Sequence, residues 1–342
     1  MKTITILIPA YNEEAVIEKM YKKLNDVCGG LSQYAFEFLF VNDGSKDRTI
    51  DFIKEFKQKD SRVQYVDLSR NFGKETAMLA GFDYAKGDAV IIIDADLQQP
   101  PETFAEMIHW WEEGYDDVYA VRVEREGESW FKKSTSKVYY SILQKVAKVK
   151  VYPQAGDFRL LDKKCIRALR QLREHERYTK GMYGWIGFKK KEITYIAEAR
   201  AAGETKWKLS ALMNLALNGI TSYSTVPLRI WSIIGFVISM FAFIYMAIEI
   251  IRTALFGTDV AGYPSLIAGI LFLGGIQLIS LGIIGEYLGR VFVETKERPV
   301  YFIQEYSEED TEKKETDDPE SKKSKNGKKE KDLKNDKNKR IV

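Results

Sequence analysis

Cysteine and histidine are scarce in this sequence of 342 residues, which contains only two of each. Cys28 and Cys165 form no C-x-x-C pair and lie far apart in the chain, so we expect a protein of a reducing compartment. Disulfide bonds and a zinc site with thiolate ligands are not expected. With His109 and His175 as the only imidazoles, histidine-based metal binding and Ser-His-Asp catalysis are also poorly supported. Acid, base or metal chemistry would therefore fall to Asp and Glu.

A strong excess of one charge is missing as well. Lys and Arg number 52 against 49 Asp and Glu, a formal net charge of +3, and this balance is not typical of a polyanion-binding protein, so we expect no nucleic-acid partner. A secretory signal is not expected either, because the opening MKTITILIPAYNEE reaches Pro9 and then acidic residues before an apolar core of useful length forms. The N-terminus should therefore stay in the cytosol.

Short β-branched runs alternate with amphipathic stretches in residues 1–205, which we predict to be a cytosolic domain. The runs ITILIPA, FEFLFVND, VQYVDLS and AVIIIDAD are typical of strands, and apolar residues at three- and four-residue spacing between them are typical of helices. This alternation predicts an α/β fold with a Rossmann-like, mostly parallel sheet that binds ligands at the carboxyl ends of its strands. The carboxylates that follow these strands, and should meet at one edge, are Glu13, Glu14, Asp43, Asp94 and Asp96.

Two long segments lack charged side chains, residues 230–248 and 260–285. A helix needs roughly 20 apolar residues to cross a bilayer, so we predict transmembrane helices at about 230–251 and 263–286, with two buried core helices as the alternative. Positive residues flank the pair on both outer sides, and the connecting residues 253–259 contain no Lys or Arg. The positive-inside rule then gives a two-helix hairpin with both chain termini in the cytoplasm.

Three further segments complete the predicted organisation. Residues 206–229 are amphipathic and are predicted to form juxtamembrane helices in the membrane interface, although a helix that caps the sheet is an alternative. Residues 291–306 are predicted to be a cytosolic return segment. Residues 307–342 change from acidic to basic and have almost no apolar side chains, so we predict a disordered tail that serves mainly as a solvated segment.

The stretch VIIIDADLQQP, residues 90–100, places two carboxylates one residue apart at the end of a buried strand. Residues i and i+2 of an extended segment point the same way, so Asp94 and Asp96 can face one ligand. A hard cation such as Mg²⁺ or Mn²⁺ takes oxygen ligands and is usually held by one or two carboxylates together with substrate phosphates. By itself the pair is more typical of a turn, and only its context favours a metal site.

That context comes from three ordered motifs: IPAYNEE at residues 8–14, FVNDGSKDRT at 40–49 and DADLQQP at 94–100. Their order resembles the inverting family 2 glycosyltransferases of the GT-A fold. QAGDFRLLD at 154–162 and RAAGETKW at 200–207 follow, and then the two apolar segments. The whole series resembles the polyisoprenyl-phosphate glycosyltransferases, the group that contains dolichol-phosphate mannose synthase and the bacterial bactoprenol glucosyltransferases.

The resemblance implies a role for each matching residue on the donor side of the reaction. The nucleotide-sugar pocket would be lined by Pro9, Tyr11, Glu13, Asp43 and Asp94. A divalent cation, Mg²⁺ or Mn²⁺, would be held on the donor diphosphate by Asp94, Asp96 and Gln98, with Asp96 also counted as catalytic. Gln99 stands where the family usually has an acid, which leaves open a retuned metal site.

The acceptor in this family is a lipid monophosphate. Its second pKa is about 6, so at neutral pH it is mostly a dianion that needs little help from a base, and the site must mainly supply groups that bind phosphate. The candidates are Arg122, Arg125, Lys132, Ser136, Arg200 and Lys206. Asp157 is implied as a further catalytic carboxylate that deprotonates a monoanionic acceptor or positions a sugar hydroxyl, with a helix N-cap as the alternative.

The function implied by the resemblance is transfer of a sugar from a nucleotide donor to undecaprenyl phosphate at the cytoplasmic face of the bacterial cell membrane, by a multi-pass enzyme that inverts the anomeric centre. UDP-glucose is the preferred donor and UDP-N-acetylglucosamine the alternative, because no motif decides the substituent at the second carbon. A processive polysaccharide synthase would carry a Q-x-x-R-W motif, which the sequence lacks. A nucleotide-sugar sensor without turnover is the non-enzymatic alternative, and a homo-oligomer, a tetramer as in relatives, is implied.

Overall fold

A computed structural model describes residues 1–123, 155–175, 177–197, 226–256 and 262–308 of the chain. Within these ranges the strands are β1 (Thr3–Ala10), β2 (Ala35–Asn42), β3 (Val63–Leu68), β4 (Ala89–Ile92), β5 (Asp117–Arg122), β6 (Ala155–Asp162), β7 (Lys190–Tyr195) and β8 (Ile303–Tyr306). The α-helices there are α1 (Ile17–Gly29), α2 (Thr49–Lys59), α3 (Lys74–Tyr84), α4 (Phe104–Glu112), α5 (Lys163–Gln171), α6 (Thr179–Trp185), α7 (Val226–Phe256) and α8 (Tyr263–Glu294).

The strands described in this structure form one sheet in the order β7-β5-β6-β4-β1-β2-β3-β8. The four neighbours β4, β1, β2 and β3 run parallel, which confirms the predicted α/β fold with a mostly parallel sheet. Alternate side chains of β1 enter two different cores, Ile6 on one face and Leu7 on the other. Burial on both faces explains why the strand sequences are continuously apolar rather than alternating.

The helices cover both faces of this sheet. α1 buries Ile17, Met20, Leu24 and Cys28, a three- and four-residue spacing that places all four side chains on one face of the helix. α3 packs more tightly, since a Cβ atom added at Gly81 would lie 2.2 Å from Leu7 Cδ1. The seven consecutive residues from Thr76 to Phe82 are all buried, so this helix is fixed firmly against the strands that end at the site.

Two strands run against the others, and the sequence analysis identified neither. β6 lies between β4 and β5 and is antiparallel to both. β8 lies at the far edge of the sheet, antiparallel to β3, although it is a short segment that follows α8 by a few residues. The predicted return segment therefore brings the chain from the long helices back to the α/β domain and protects the edge of β3.

The first residues of the predicted tail also belong to the folded domain, so its boundary at residue 307 was placed too early. Ser307 is buried; its hydroxyl oxygen accepts a hydrogen bond from Tyr65 N at 3.1 Å and donates one to Gln64 Oε1 at 2.7 Å. Glu308 forms an ion pair with Lys86. These contacts are made by polar side chains, so the sequence around residues 307 and 308 shows no run of apolar residues that would predict a folded segment.

The long helices α7 and α8 contact each other and overlap the two segments predicted to cross the membrane. Among the described residues, one helical segment, Phe272–Glu294, is long and apolar enough to span a bilayer, judged by length and composition. Its apolar side chains are exposed rather than packed in a protein interior; examples are Leu278 and Leu281. A hairpin in which both helices span the membrane stays a prediction.

Candidate active site

The loops that follow β1 and β2 are joined by reciprocal hydrogen bonds. Asn12 N donates to Ser45 Oγ at 3.0 Å, and Asn12 Oδ1 accepts from Lys46 N at 2.8 Å. Glu14 N donates to Asp47 Oδ2 at 3.2 Å. The first and second motifs are therefore one structural unit, held by side chains that the sequence analysis did not assign to the site.

Asp43 anchors a third loop to this unit. Its two carboxylate oxygens accept hydrogen bonds from Phe72 N at 2.7 Å and Gly73 N at 2.9 Å. The approach is close, because a Cβ atom at Gly44, where φ is +63°, would lie 2.3 Å from the carbonyl carbon of Arg70. Burial raises the pKa of Asp43, and the two backbone hydrogen bonds offset this only in part. Asp43 thus fixes the loop that leads into α3.

The other residues predicted for the nucleotide pocket lie at the same edge. Pro9 is near the end of β1, opposite Val41 of β2. Tyr11 is exposed, and the backbone N–H of Glu13 donates to Thr49 Oγ1 at 2.8 Å. The structure therefore brings these residues together with Asp43, while their contact with a nucleotide stays a prediction.

Asp94 and Asp96 lie in a tight turn directly after β4. Asp96 Oδ1 accepts a hydrogen bond from Gln98 N at 3.1 Å. Leu97 has a φ of +61°, a left-handed conformation that costs a residue with a side chain roughly 1–3 kcal/mol. Strained residues of this kind cluster at ligand sites, and here the strained residue lies between Asp96 and Gln98, two of the three residues predicted to bind the metal.

Gln99 holds Asp94 at two points. Its Oε1 accepts from Asp94 N at 2.9 Å, and its Nε2 donates to Asp94 Oδ2 at 3.1 Å. The side chain of Gln99 is buried. An amide can both donate and accept, which an ionised acid at this position could not do. The departure from the family pattern at residue 99 is thus matched by a specific pair of hydrogen bonds.

Replacing Gln99 with Ala should remove both hydrogen bonds and leave the Asp94 carboxylate held by Lys74 alone among these two partners. We expect a loss of about 1–2 kcal/mol in the free energy of unfolding and a fall in glycosyl transfer of about tenfold. Denaturant unfolding and the transfer assay described below measure these two effects. Gln58→Ala, an exposed position on α2, is the matched control and should change neither; equal behaviour of the two variants would contradict the role given to Gln99.

Asp157 reaches the site because β6 is antiparallel to β4. The register pairs Ile92 with Arg159, and extending it by two residues places Asp157 opposite Asp94. Asp157 lies inside β6 and is 9% exposed, so the alternative of a helix N-cap was wrong. The buried Oδ1 atom of Asp157 has no hydrogen-bond partner among the described residues. Buried polar atoms are rarely left unpaired, so this oxygen is available to a ligand.

Lys74 connects the two carboxylates, and the sequence analysis missed it. Its Nζ lies 2.6 Å from Asp94 Oδ1 and 3.2 Å from Asp157 Oδ2. Lys74 is the first residue of α3 and directly follows the loop anchored by Asp43. The available signal was positional: α3 follows β3 and therefore begins at the carboxyl edge of the sheet, where ligands bind in this class of fold.

The charges of this cluster reinforce one another. Desolvation alone would lower the pKa of Lys74, but the attraction of Asp94 and Asp157 outweighs it and raises the pKa. Burial alone would raise the pKa of Asp157, but the nearby cations Lys74, Lys180 and Arg159 together lower it. Asp157 is therefore held as a carboxylate and Lys74 as an ammonium.

Arg122 is the one predicted acceptor residue that the structure describes. It ends β5 opposite Tyr195 of β7 and is exposed. Burial raises the pKa of Tyr195, Arg122 lowers it, and Asp94 and Asp96 raise it further. Since β4 and β5 are both antiparallel to β6, Arg122 ends its strand at the same edge of the sheet as the turn after β4. The other candidates lie outside the described residues and stay predictions: Arg125, Lys132, Ser136, Arg200 and Lys206.

The oxygen ligands at this edge suit a hard divalent cation. The described part of the chain contains no group of three or more His, Cys, Asp and Glu side chains that could hold a metal. Asp94 and Asp96 offer two carboxylates in one turn, and Gln98 follows two residues after Asp96, to which its backbone N–H donates. Mg²⁺ characteristically binds one or two carboxylates and takes its other ligands from water and substrate phosphates, so the residues fit such a cation.

Comparison with known proteins agrees with this architecture. Residues 5–170 match the family model "Glycosyl transferase family 2", and residues 226–291 match "GtrB C-terminal hairpin". An uncharacterized glycosyltransferase from Synechocystis sp. is 46% identical over 302 residues, 88% of this chain and 95% of the relative. The chain belongs to the family 2 glycosyltransferases and is a glycosyltransferase.

Other relatives are named for a reaction, glucosyl transfer to bactoprenol. The prophage bactoprenol glucosyl transferase homolog of Escherichia coli (strain K12) is 43% identical over 301 residues, 88% of this chain and 98% of the relative. The bactoprenol glucosyl transferase of Shigella phage SfV is 42% identical over the same shares. Among solved structures, a glucosyl-3-phosphoglycerate synthase from Mycobacterium tuberculosis has a TM-score of 0.43 at 18% identity, covering 64% of this chain and 78% of that one.

Proposed function

We propose that the protein transfers glucose from UDP-glucose to undecaprenyl phosphate at the cytoplasmic face of the bacterial membrane, with inversion of the anomeric centre. The observation that carries the proposal is the pair of carboxylates Asp94 and Asp157 bridged by Lys74 at the carboxyl edge of the sheet, with Asp96 two residues beyond Asp94. The bactoprenol glucosyl transferases related to almost the whole chain give the acceptor and the sugar.

The donor is bound at the edge formed by β1, β2 and β4. The nucleotide contacts Pro9, Tyr11, Glu13 and Asp43. Asp94, Asp96 and Gln98 would hold Mg²⁺ or Mn²⁺, and the cation when bound would supply positive charge against the diphosphate of the leaving UDP. Gln99 keeps Asp94 oriented for this role through its two hydrogen bonds.

The acceptor phosphate is its own nucleophile. One dianionic phosphate oxygen forms a bond to the anomeric carbon while the bond from that carbon to the UDP oxygen breaks, and UDP leaves with the electron pair. Arg122 lies at the same edge as the carboxylates, and with Arg125, Lys132, Ser136, Arg200 and Lys206 it binds the phosphate. No proton need be removed when the acceptor is a dianion.

Asp157 positions the sugar rather than acting as a base. Lys74, Lys180 and Arg159 hold its pKa below the ordinary value despite burial, and an efficient general base at neutral pH needs a pKa near 7. Its Oδ1 atom has no hydrogen-bond partner within the described ranges, and in the proposed mechanism it accepts a hydrogen bond from a sugar hydroxyl.

The helices α7 and α8 form a transmembrane hairpin that holds the domain at the lipid surface, with both chain termini in the cytoplasm. Support comes from the match to a C-terminal hairpin and from the apolar segment Phe272–Glu294. β8 ties the end of the hairpin to the catalytic sheet. By resemblance to relatives, the assembly is a homo-oligomer, a tetramer.

The decisive experiment incubates the full-length protein in detergent with undecaprenyl phosphate, Mg²⁺ or Mn²⁺ and radiolabelled UDP-glucose or UDP-N-acetylglucosamine. We expect lipid-extractable label with UDP-glucose. Lipid-extractable label with UDP-N-acetylglucosamine but not with UDP-glucose would identify N-acetylglucosamine as the transferred sugar. Label in long water-soluble chains would identify a processive synthase, and binding of donor without any transfer would identify a sensor.

The metal assignment is tested by Asp96→Asn. We expect transfer to fall by roughly ten- to a hundredfold, because the turn loses one of two charged oxygen ligands while its shape is kept. Mn²⁺ titration of the transfer rate measures the effect, and Asp51→Asn, on the first turn of α2, serves as the matched control. Activity of Asp96→Asn equal to that of the control would mean that the metal is bound elsewhere.

A further inference from the structure

Lys74 contacts two of the carboxylates at the centre of the site, and the proposed function leaves it without a role. We propose that Lys74 is a positioning residue that clamps Asp94 to Asp157 and competes with the divalent cation for Asp94. The inference rests on the proposed function only in taking Asp94 as a metal ligand and Asp157 as a residue of the transfer site.

The clamp joins two parts of the sheet that are far apart in sequence. Asp94 lies in the turn after β4, Asp157 lies at the start of β6, and a single ammonium contacts both at 2.6 Å and 3.2 Å. An ammonium has three N–H donors, so two carboxylates leave one donor unused. Asp157 in turn has one oxygen on Lys74 and one without a partner among the described residues. The ion pair therefore fixes the orientation of the carboxylate and leaves its Oδ1 atom to accept a hydrogen bond from a substrate.

The base of the clamp is rigid. Lys74 begins α3 immediately after Gly73, whose N–H is held by Asp43 at 2.9 Å. The next residue, Glu75, accepts a hydrogen bond from Thr179 N at 2.9 Å. The Lys74 backbone is therefore anchored on both sides, and its side chain, which is 44% exposed, is the part that can move.

Competition follows from the shared oxygen. A divalent cation held by Asp94 needs a carboxylate oxygen, and Asp94 Oδ2 already accepts from Gln99 while Oδ1 is 2.6 Å from the ammonium. Two cations on one carboxylate repel each other strongly at such distances. Lys74 therefore stabilises the metal-free site. When the metal binds, the ion pair between Lys74 and Asp94 must break, while the ion pair between Lys74 and Asp157 is retained.

The test measures Mn²⁺ binding alone by electron paramagnetic resonance, on the full-length protein in detergent, for wild type and Lys74→Met. We expect Mn²⁺ to bind Lys74→Met about five- to tenfold more tightly, and transfer to be slower because Asp157 is no longer oriented. Lys74→Arg keeps the charge and should retain the Mn²⁺ affinity of wild type. Lys22→Met removes an exposed i,i+4 partner of Glu18 on α1 and should change nothing.

Unchanged or weaker Mn²⁺ binding by Lys74→Met would overturn the proposal, because a merely structural lysine competes with nothing. Should Lys74→Met not fold, Lys74→Gln gives the same comparison with a polar side chain, and the same two results decide. Transfer by the wild-type protein is measured in the same preparation. The proposed function therefore stands or falls on wild-type activity, and the clamp on the Mn²⁺ affinities.

Discussion

Replacing Asp157 with Asn is expected to lower the rate of glycosyl transfer by about 10²- to 10⁴-fold. The substitution keeps the shape of a buried side chain but removes the charge that pairs with Lys74. It also replaces one acceptor oxygen by an amide that donates. A sugar hydroxyl that donates to Oδ1, which is without a partner in the part of the chain that the structure describes, would lose its acceptor or meet a second donor. The lipid-extraction assay at saturating donor measures the effect.

The pH dependence of this loss separates the two roles of Asp157. Nearby Lys74, Lys180 and Arg159 lower the pKa of Asp157 in spite of burial. The carboxyl group is therefore fully ionised at any pH above about 4, the ordinary pKa of an aspartic acid, and becomes protonated only at lower pH. The transfer rate of wild type should therefore show no loss from Asp157 between about pH 5 and 9. Any fall near pH 6 belongs to the acceptor phosphate, whose second pKa is about 6.

For Asp157→Asn we expect the same fractional loss at every pH across that range. A defect that disappears at high pH, where the acceptor is a complete dianion, would instead assign Asp157 as the base. Asp51→Asn again serves as the control for an exposed carboxylate. Far-ultraviolet circular dichroism and a thermal melt should show that Asp157→Asn retains the fold.

Replacing Asp117 with Asn is expected to cost about 3–5 kcal/mol in the free energy of unfolding. Asp117 is fully buried at the start of β5, and its carboxylate lies 3.0 Å from Arg159 Nη1 and 2.7 Å from Lys190 Nζ. Both cations are almost completely buried, so loss of the carboxylate leaves two positive charges in the interior without it. Denaturant unfolding in detergent measures the change.

This network also supports the site. The Arg159 guanidinium stacks 3.6 Å from the Tyr183 ring and donates to Gly156 O at 2.7 Å, and Gly156 directly precedes Asp157. A neutral replacement of Lys190 in the Asp117→Asn background should recover part of the lost stability, because it removes one of the two positive charges that Asp117 pairs with. Glu55→Gln, which breaks an exposed pair with Lys59, should change stability by less than about 1 kcal/mol. An Asp117→Asn variant as stable as this control would mean that the network carries no net energy.

Local sequence pattern was enough for one half of the domain. The alternation of apolar runs and amphipathic stretches predicted β1 to β4 and α1 to α3, because each of these signals lies within a single element. Parallel strands place their carboxyl ends at one edge, so the convergence of Asp43, Asp94 and Asp96 also followed from the sequence.

The other half of the site depended on contacts between distant parts of the chain. Asp157 was singled out by resemblance to a family, but its position opposite Asp94 requires that β6 run antiparallel to β4, and no periodicity records the direction of a strand. Lys74 was overlooked because a lysine at a helix start is typical of a solvated surface. Only the packing of α3 against the sheet brings it to both carboxylates.

The sequence by itself determined an α/β domain with a carboxylate edge, two long apolar segments and membership of a glycosyltransferase group, since these depend on residue types and their spacing. The tertiary structure decided that Asp94 and Asp157 share one lysine, that Gln99 holds Asp94 from two sides, and that β8 returns to the edge of β3. The physical reason is that the pattern of apolar residues along the chain indicates which side chains are buried. The partner of a buried charge, in contrast, depends on which strands and helices pack together in the folded protein.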